Sequence, residues 1–171
     1  FDLEAAPTRL QALIMFIRVL GEEEQALAWS GTTPFKDIEK GSQAEHYVGY
    51  AYEKGYTNGY TATSFKPAGA VNAYQYTEFV LRAMGYSSAA NKDLSDTLLR
   101  AVNAGVLTDG DAAMLQSAAF LRAQLVYISY YALEADLPDG SQSLADYLMD
   151  LGVFTRDEWR SSWKLVKSER L

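Results

Sequence analysis

The chain has 171 residues, no cysteine and one histidine, His46. That composition excludes a disulfide scaffold, a thiol nucleophile, a cysteine-ligated zinc site, multi-histidine metal clusters and nearly all histidine-based triads. Its 22 acidic and 15 basic residues leave a net charge of -7, the wrong balance for a general nucleic-acid binder, and its 49% hydrophobic content is wrong for a disordered chain.

Apolar residues Leu10, Leu13, Ile14, Ile17 and Leu20 recur at helical spacing and predict a helix over 8–20. Thr8 and Gln11 make a capping box at its start, and Gly21 is its stop. A short acidic-start helix is expected over 22–29, then a loop over 31–34. Ser42 and Glu45 open a helix that ends at Gly55. Residues 56–70 contain Gly59, Pro67 and Gly69 and read as an ordered loop. Asn72 and Gln75 open a helix over 73–84, stopped by Gly85. Further helices fit 94–104, stopped by Gly105, then 120–133, and 141–151, stopped by Gly152. Asp109-Gly110-Asp111 lacks the remaining oxygens of a calcium loop and reads as a turn. Thr155 and Glu158 cap a last helix running towards Glu169, with Trp159, Trp163 and Val166 on one face. Arg160, Lys164 and Lys167 are interleaved with them. Such a face either touches an anionic surface or covers the end of the bundle, and its small net charge favours covering. No apolar run is long enough to span a membrane.

The pattern repeats with a period of about 50 residues. Gly55, Gly105 and Gly152 end one kind of helix. A second, capped kind starts with the aligned runs Arg9-Leu10-Gln11, Ala73-Tyr74-Gln75 and Arg122-Ala123-Gln124. No single unit buries its apolar face alone, so three capped helices are expected to pack into a central three-helix bundle.

Phe35-Lys36-Asp37-Ile38, Ala44 and Val48, Gly55-Tyr56-Thr57-Asn58-Gly59-Tyr60, Ser64-Phe65-Lys66-Pro67 and Val71-Asn72-Ala73-Tyr74-Gln75 together resemble the S-layer homology repeat. That repeat runs from an F-x-D-V start through a W-A-x-x-x-I helix and a G-Y-P-D-G-T-F loop to an I-T-R-A-E helix. The match is specific from Gly55 to Gly85 and weak after residue 105. The resemblance implies an all-α fold of tandem helical repeats, a pseudo-threefold spindle over 1–171. Residues 1–21 would end a first repeat, 35–85 form a second, 93–134 a divergent third, and 137–171 a half repeat with a C-terminal helix. Beginning within a repeat fits an excised fragment.

The resemblance further implies an extracytoplasmic, secreted or wall-associated module. Its partner would be secondary cell-wall polysaccharide or another envelope glycan, with other surface proteins as further partners and no nucleic acid or membrane. No enzyme activity and no cofactor are expected. Arg9 and Arg122 occupy the place of the family arginine, at a helix start where backbone N–H groups and a planar guanidinium suit a carboxylate. Tyr60 lies in the groove loop, Tyr74 flanks the missing arginine at Ala73, and Asp37 sits in the repeat's opening motif. Glycan contacts are therefore expected from Arg9, Arg122, Tyr60, Tyr74 and Asp37, with Tyr60 and Tyr74 lining an inter-repeat groove. Tyrosine is concentrated between residues 47 and 86, in and just after the best-preserved repeat. The family glutamate is glutamine at Gln11, Gln75 and Gln124, and the loop's aspartate and glycine are Ala62 and Thr63. Gln43 replaces the helix-start tryptophan. These departures leave a second reading open: a degenerate repeat serving as a scaffold or protein-interaction module.

Overall fold

The computed structural model describes residues 2–165. Nine helices are found among them: α1 (Arg9–Val19), α2 (Glu23–Leu27), α3 (Gln43–Glu53), α4 (Ala73–Met84), α5 (Thr97–Asn103), α6 (Asp109–Ser117), α7 (Arg122–Glu134), α8 (Leu144–Asp150) and α9 (Arg156–Leu165). The β-type pairings among the described residues are three isolated bridges, so the all-α reading holds. No described helix is long and apolar enough to cross a membrane.

The long helices α1, α4 and α7 touch one another pairwise and form the expected central bundle. Each carries a shorter helix on its outside: α3 lies on α1, α5 on α4 and α8 on α7. Leu13, Phe16 and Ile17 of α1, Tyr76, Val80 and Leu81 of α4, and Leu125 and Ile128 of α7 fill the space between them. Tyr76 sits at the centre, edge-on to Phe16 at 6.1 Å and 6.0 Å from Phe120. Its hydroxyl meets Ser129 Oγ at 2.5 Å, which provides a partner for a buried phenol.

Local signals account for the element ends. The shorter helices α3, α5 and α8 stop in the same way. Gly55, Gly105 and Gly152 take φ of 76°, 74° and 76°, a conformation that favours glycine. The next residue then reaches back to a carbonyl five positions earlier, as in Tyr56 to Ala51, Val106 to Ala101 and Val153 to Leu148. At the bundle starts, Thr8 and Asn72 accept from the N–H of Gln11 and Gln75, and the glutamine side chains accept from the cap N–H groups. Leu121 has no acceptor to offer, yet Gln124 still accepts from its N–H.

Four expectations need correction. Asp109-Gly110-Asp111 is the first turn of α6, not a free turn. Thr108 accepts from Asp111 N–H, and the Asp111 carboxylate accepts from Thr108 N–H and from the Tyr127 hydroxyl. An aspartate three residues after the cap thus does the work expected of glutamate. α5 starts at Thr97 rather than 94, because Asp93 and Leu94 are used in turns that bind Ser95 and Thr97 N–H. α7 starts at Arg122 rather than 120, with Leu121 as the extended cap residue. α8 starts at Leu144 rather than 141, because Asp139 holds Ser141 in a turn and Ser143 is the cap. On α9, Trp159 covers α7 at Tyr130, as a covering helix should. The expectations at Phe1, Val166, Lys167 and Glu169 lie outside the described residues.

Candidate functional site

Arg9 opens α1, and its own backbone is fully engaged. Its N–H donates to Gly69 O at 2.9 Å, Leu10 N–H donates to Pro67 O, and Gln11 N–H donates to Thr8 Oγ1. The expectation that exposed first-turn N–H groups would receive an anion is therefore overturned at α1. The same holds at α7, where Arg122 and Ala123 N–H groups donate to Ala5 and Leu3 carbonyls. Segments of the fold already cap these helices.

The Arg9 side chain is different. It is only 4% exposed, and its Nε donates to Phe65 O at 2.8 Å. Its guanidinium carbon stands 4.9 Å from the Phe65 ring centre, 5.6 Å from Phe79 and 5.8 Å from Tyr60. The two terminal nitrogens have no hydrogen-bond or ion-pair partner among the described residues. Burial pushes the Arg9 pKa down to about 10; Arg82 adds to this, while Tyr60 and Asp37 oppose it. A buried cation without a carboxylate is an arrangement that a bound anion would relieve.

Arg9 lines a groove of about 490 Å³. Loop residues 57–62, with Tyr60, form one wall, and Lys92 and Leu94 contribute to another. Gln75, Glu78, Phe79 and Arg82 of α4 also line it, as does Tyr52 at the end of α3. Three cations thus face one carboxylate in a chain that is acidic as a whole. That carboxylate is already engaged. Glu78 is buried and accepts from Arg82 Nε at 3.1 Å, Arg100 Nη2 at 2.7 Å, Ser87 Oγ at 2.5 Å and Thr97 Oγ1 at 3.2 Å. Arg82 Nη2 also donates to Asn91 O, so this cluster pins the connection from α4 to α5 beside the groove.

The loop wall is built by the opening motif of the repeat. Asp37 accepts from Phe65 N–H, Lys66 N–H and Ser64 Oγ at 2.7–2.9 Å. Burial acts to raise the Asp37 pKa, but these bonds outweigh it and hold the carboxyl below its usual range. They also hold Lys66 at a φ of 57°, with its ammonium 3.7 Å from the Tyr60 ring centre. Gly59 leaves room for Phe35, since a Cβ there would sit 2.3 Å from the ring.

The structure brings Arg9 and Tyr60 into one groove. It does not bring the other expected residues there. Asp37 spends its oxygens on the loop. Tyr74 packs against the core and lies outside the residues lining the groove. Arg122 donates from Nη2 to Gln11 Oε1 at 3.2 Å and from Nη1 to Asp2 O at 3.4 Å, tying α7 to the start of α1. His46 is structural, with Nδ1 2.6 Å from Trp29 O. Sequence reasoning missed Arg82, Lys92 and Glu78. Glu78 and Arg82 are a helix pair at i, i+4, a signal too common to single out. Among the described residues no cluster of His, Cys, Asp or Glu is arranged to hold a metal ion.

Two comparisons bear on this arrangement. A cell surface protein of Thermoanaerobacter kivui is 30% identical over 126 residues, covering 67% of this chain and 16% of that protein. The chain thus spans about one-sixth of that relative's length. No solved structure matches. The model of the S-layer homology domain matches residues 34–72, the stretch that contains the Asp37 clamp, the Tyr60 loop and helix α3. Residues 34–72 are accordingly similar to the S-layer homology domain, the family whose repeat the sequence resembles.

Proposed function

We propose that this chain is a non-catalytic module of the bacterial cell envelope, placed outside the cytoplasm, and that the Arg9 groove holds an anionic saccharide of the cell wall. One observation carries the reading: a nearly buried guanidinium with two uncommitted terminal nitrogens faces a cation-rich groove beside an exposed tyrosine. A ketal or uronic carboxylate fits the guanidinium fork, and the half-exposed Tyr60 lines the groove beside it. The match to S-layer homology and the similarity to a cell surface protein support the envelope placement. The one carboxylate lining the groove is committed to arginines, which supports binding rather than hydrolysis.

The reading also sets a stoichiometry. At the equivalent position on α4 the arginine is Ala73, which is buried. On α7, Arg122 is bonded within the protein. One saccharide site of this kind among the described residues follows.

The test is calorimetric titration with purified, acidic cell-wall polysaccharide fragments. Arg9→Ala and Arg9→Lys should each weaken binding roughly 10- to 100-fold, the worth of a charge-assisted pair. Arg122→Ala should leave it unchanged, and removing the acidic substituents from the glycan should abolish it. A wild type that binds no fragment, or Arg9 variants that retain folded circular dichroism and full affinity, would overturn the proposal.

A further inference from the structure

Helix α9 has a distinct aromatic face, yet none of its described residues is buried. Trp159 is set in place by aromatic neighbours, 5.6 Å from Tyr130 at 31° and 6.0 Å from Phe154 at 33°. Trp163 meets Trp159 edge-on at 6.1 Å and 70°, and remains 56% exposed. The two indoles lie on one side of a cleft of about 500 Å³ between α9 and the α7–α8 pair. Arg156 and Arg160 line it with Glu134 and Asp146. It shares no residue with the Arg9 groove.

We infer that this cleft is a separate binding site for a neutral saccharide chain. The chemistry of its lining leads there. Two arginines and two carboxylates cancel in charge, so the cleft has no cation excess with which to hold a polyanion. Arg156 and Asp146 Oδ1 approach only to 3.8 Å, too far for a hydrogen bond; Asp146 Oδ2 accepts from Ser143 Oγ at 2.9 Å, which leaves Arg156 and Asp146 Oδ1 with capacity for a ligand. A pyranose presents an apolar C–H face and a rim of hydroxyls that both donate and accept. The indoles match the face, while the arginines donate to the rim and the carboxylates accept from it. A membrane surface would call for a larger cation excess than the three basic and two acidic residues of α9 supply. The two clefts therefore divide the labour, a cationic one for acidic sugar and a balanced one for neutral sugar. The second does not rest on the first.

The chain has three tryptophans, so three indole N–H resonances report on the site. The probes are neutral tetrasaccharides of glucose and of N-acetylglucosamine, with an oligogalacturonate as the anionic comparison. Saturable shifts are expected for Trp159 and Trp163 with at least one neutral probe, with no shift for Trp29, whose indole is bonded to Glu53 on a different element. Trp163→Ala should weaken that binding about tenfold or more. Its exposed position means that folding should be kept, which a thermal melt checks. Arg160→Ala should weaken it by a smaller factor, and Arg9→Ala should leave it untouched. Four results overturn the inference: neither neutral probe shifts either indole at about 10 mM; binding survives Trp163→Ala; the oligogalacturonate binds there better than the neutral probes; or phosphatidylglycerol vesicles shift the indoles while sugars do not.

Discussion

Gly49 lies in the middle of α3, where glycine weakens a helix by about 1 kcal/mol relative to alanine. Replacing it with alanine should nevertheless destabilise this protein. A Cβ at Gly49 would sit 2.2 Å from Trp29 Cη2, 2.3 Å from Cζ3 and 2.5 Å from Cζ2. Gly31 crowds the same ring, with a built Cβ 2.6 Å from Cζ2. The indole is tethered by Nε1 donating to Glu53 Oε2 at 2.8 Å, and its backbone carbonyl meets His46. It cannot shift without losing packing and that bond. Overpacking costs about 1–3 kcal/mol and the bond about 1 kcal/mol, against about 1 kcal/mol gained in helix propensity. The expected net loss is about 1–3 kcal/mol, or a fall of roughly 3–10 °C in Tm for a domain of this size. Urea unfolding followed by far-ultraviolet circular dichroism measures it, with the m-value as a check on the two states. The decisive comparison is a double-mutant cycle with Trp29→Ala. Once the ring is gone, Gly49→Ala should become stabilising by about 1 kcal/mol. An effect of the same sign and size in both backgrounds refutes the steric argument.

Glu78→Ala removes the carboxylate between Arg82 and Arg100, leaves the buried Arg82 uncompensated, and should cost about 3–5 kcal/mol in urea unfolding. Amide exchange should rise most along the connection between α4 and α5, and a loss under about 1 kcal/mol would refute the clamp. At high pH, burial holds the hydroxyl pKa of Tyr50, Tyr56 and Tyr76 above the ordinary value and raises that of Tyr130 to about 12. The unfolded chain ionises its tyrosines near pH 10, so stability should be complete below about pH 10 and fall as pH rises towards the folded values. A urea midpoint unchanged from about pH 9 to about pH 11 would contradict this. At low pH the sign reverses for Asp37, whose pKa is depressed in the folded state. Its contribution is present above about pH 3.9 and is lost as pH falls through the folded value. Asp37→Asn should flatten that part of the acid profile; identical profiles for variant and wild type would count against it.

Much of the architecture was legible because its signals are local. Capping boxes and stop glycines act over three to five residues, and their spacing in the chain is their spacing on the helix. The helices α1, α3 and α4 and the ordered loop after α3 follow from such signals. Helix α6 escaped because its box closes with Asp111, a residue whose role depends on burial against Tyr127 as well as on its neighbours. The motif residues Phe35 and Asp37 were visible, but not their purpose. Only the folded chain shows that Asp37 spends both oxygens on a loop 27 to 29 positions away.

The sharpest case is the pair of arginines. By sequence, Arg9 and Arg122 are equivalent: each is the first residue of a bundle helix, two before a glutamine that bonds back to the cap. Sequence alone therefore determined the helix, the register and the direction in which each arginine leaves it. It did not determine what each one meets. Arg9 is held by Phe65, 56 positions away, with two nitrogens left over, whereas Arg122 is bonded to Gln11, 111 positions away. Burial and partner are properties of neighbours in space, and those neighbours come from distant parts of the chain. The same holds for Arg82 and Lys92, which join Arg9 only when α4 and its following connection fold over α1. The capped helices could be read from the order of residues; which of their arginines keeps terminal nitrogens without a hydrogen bond was decided by how those helices and the loops beside them pack.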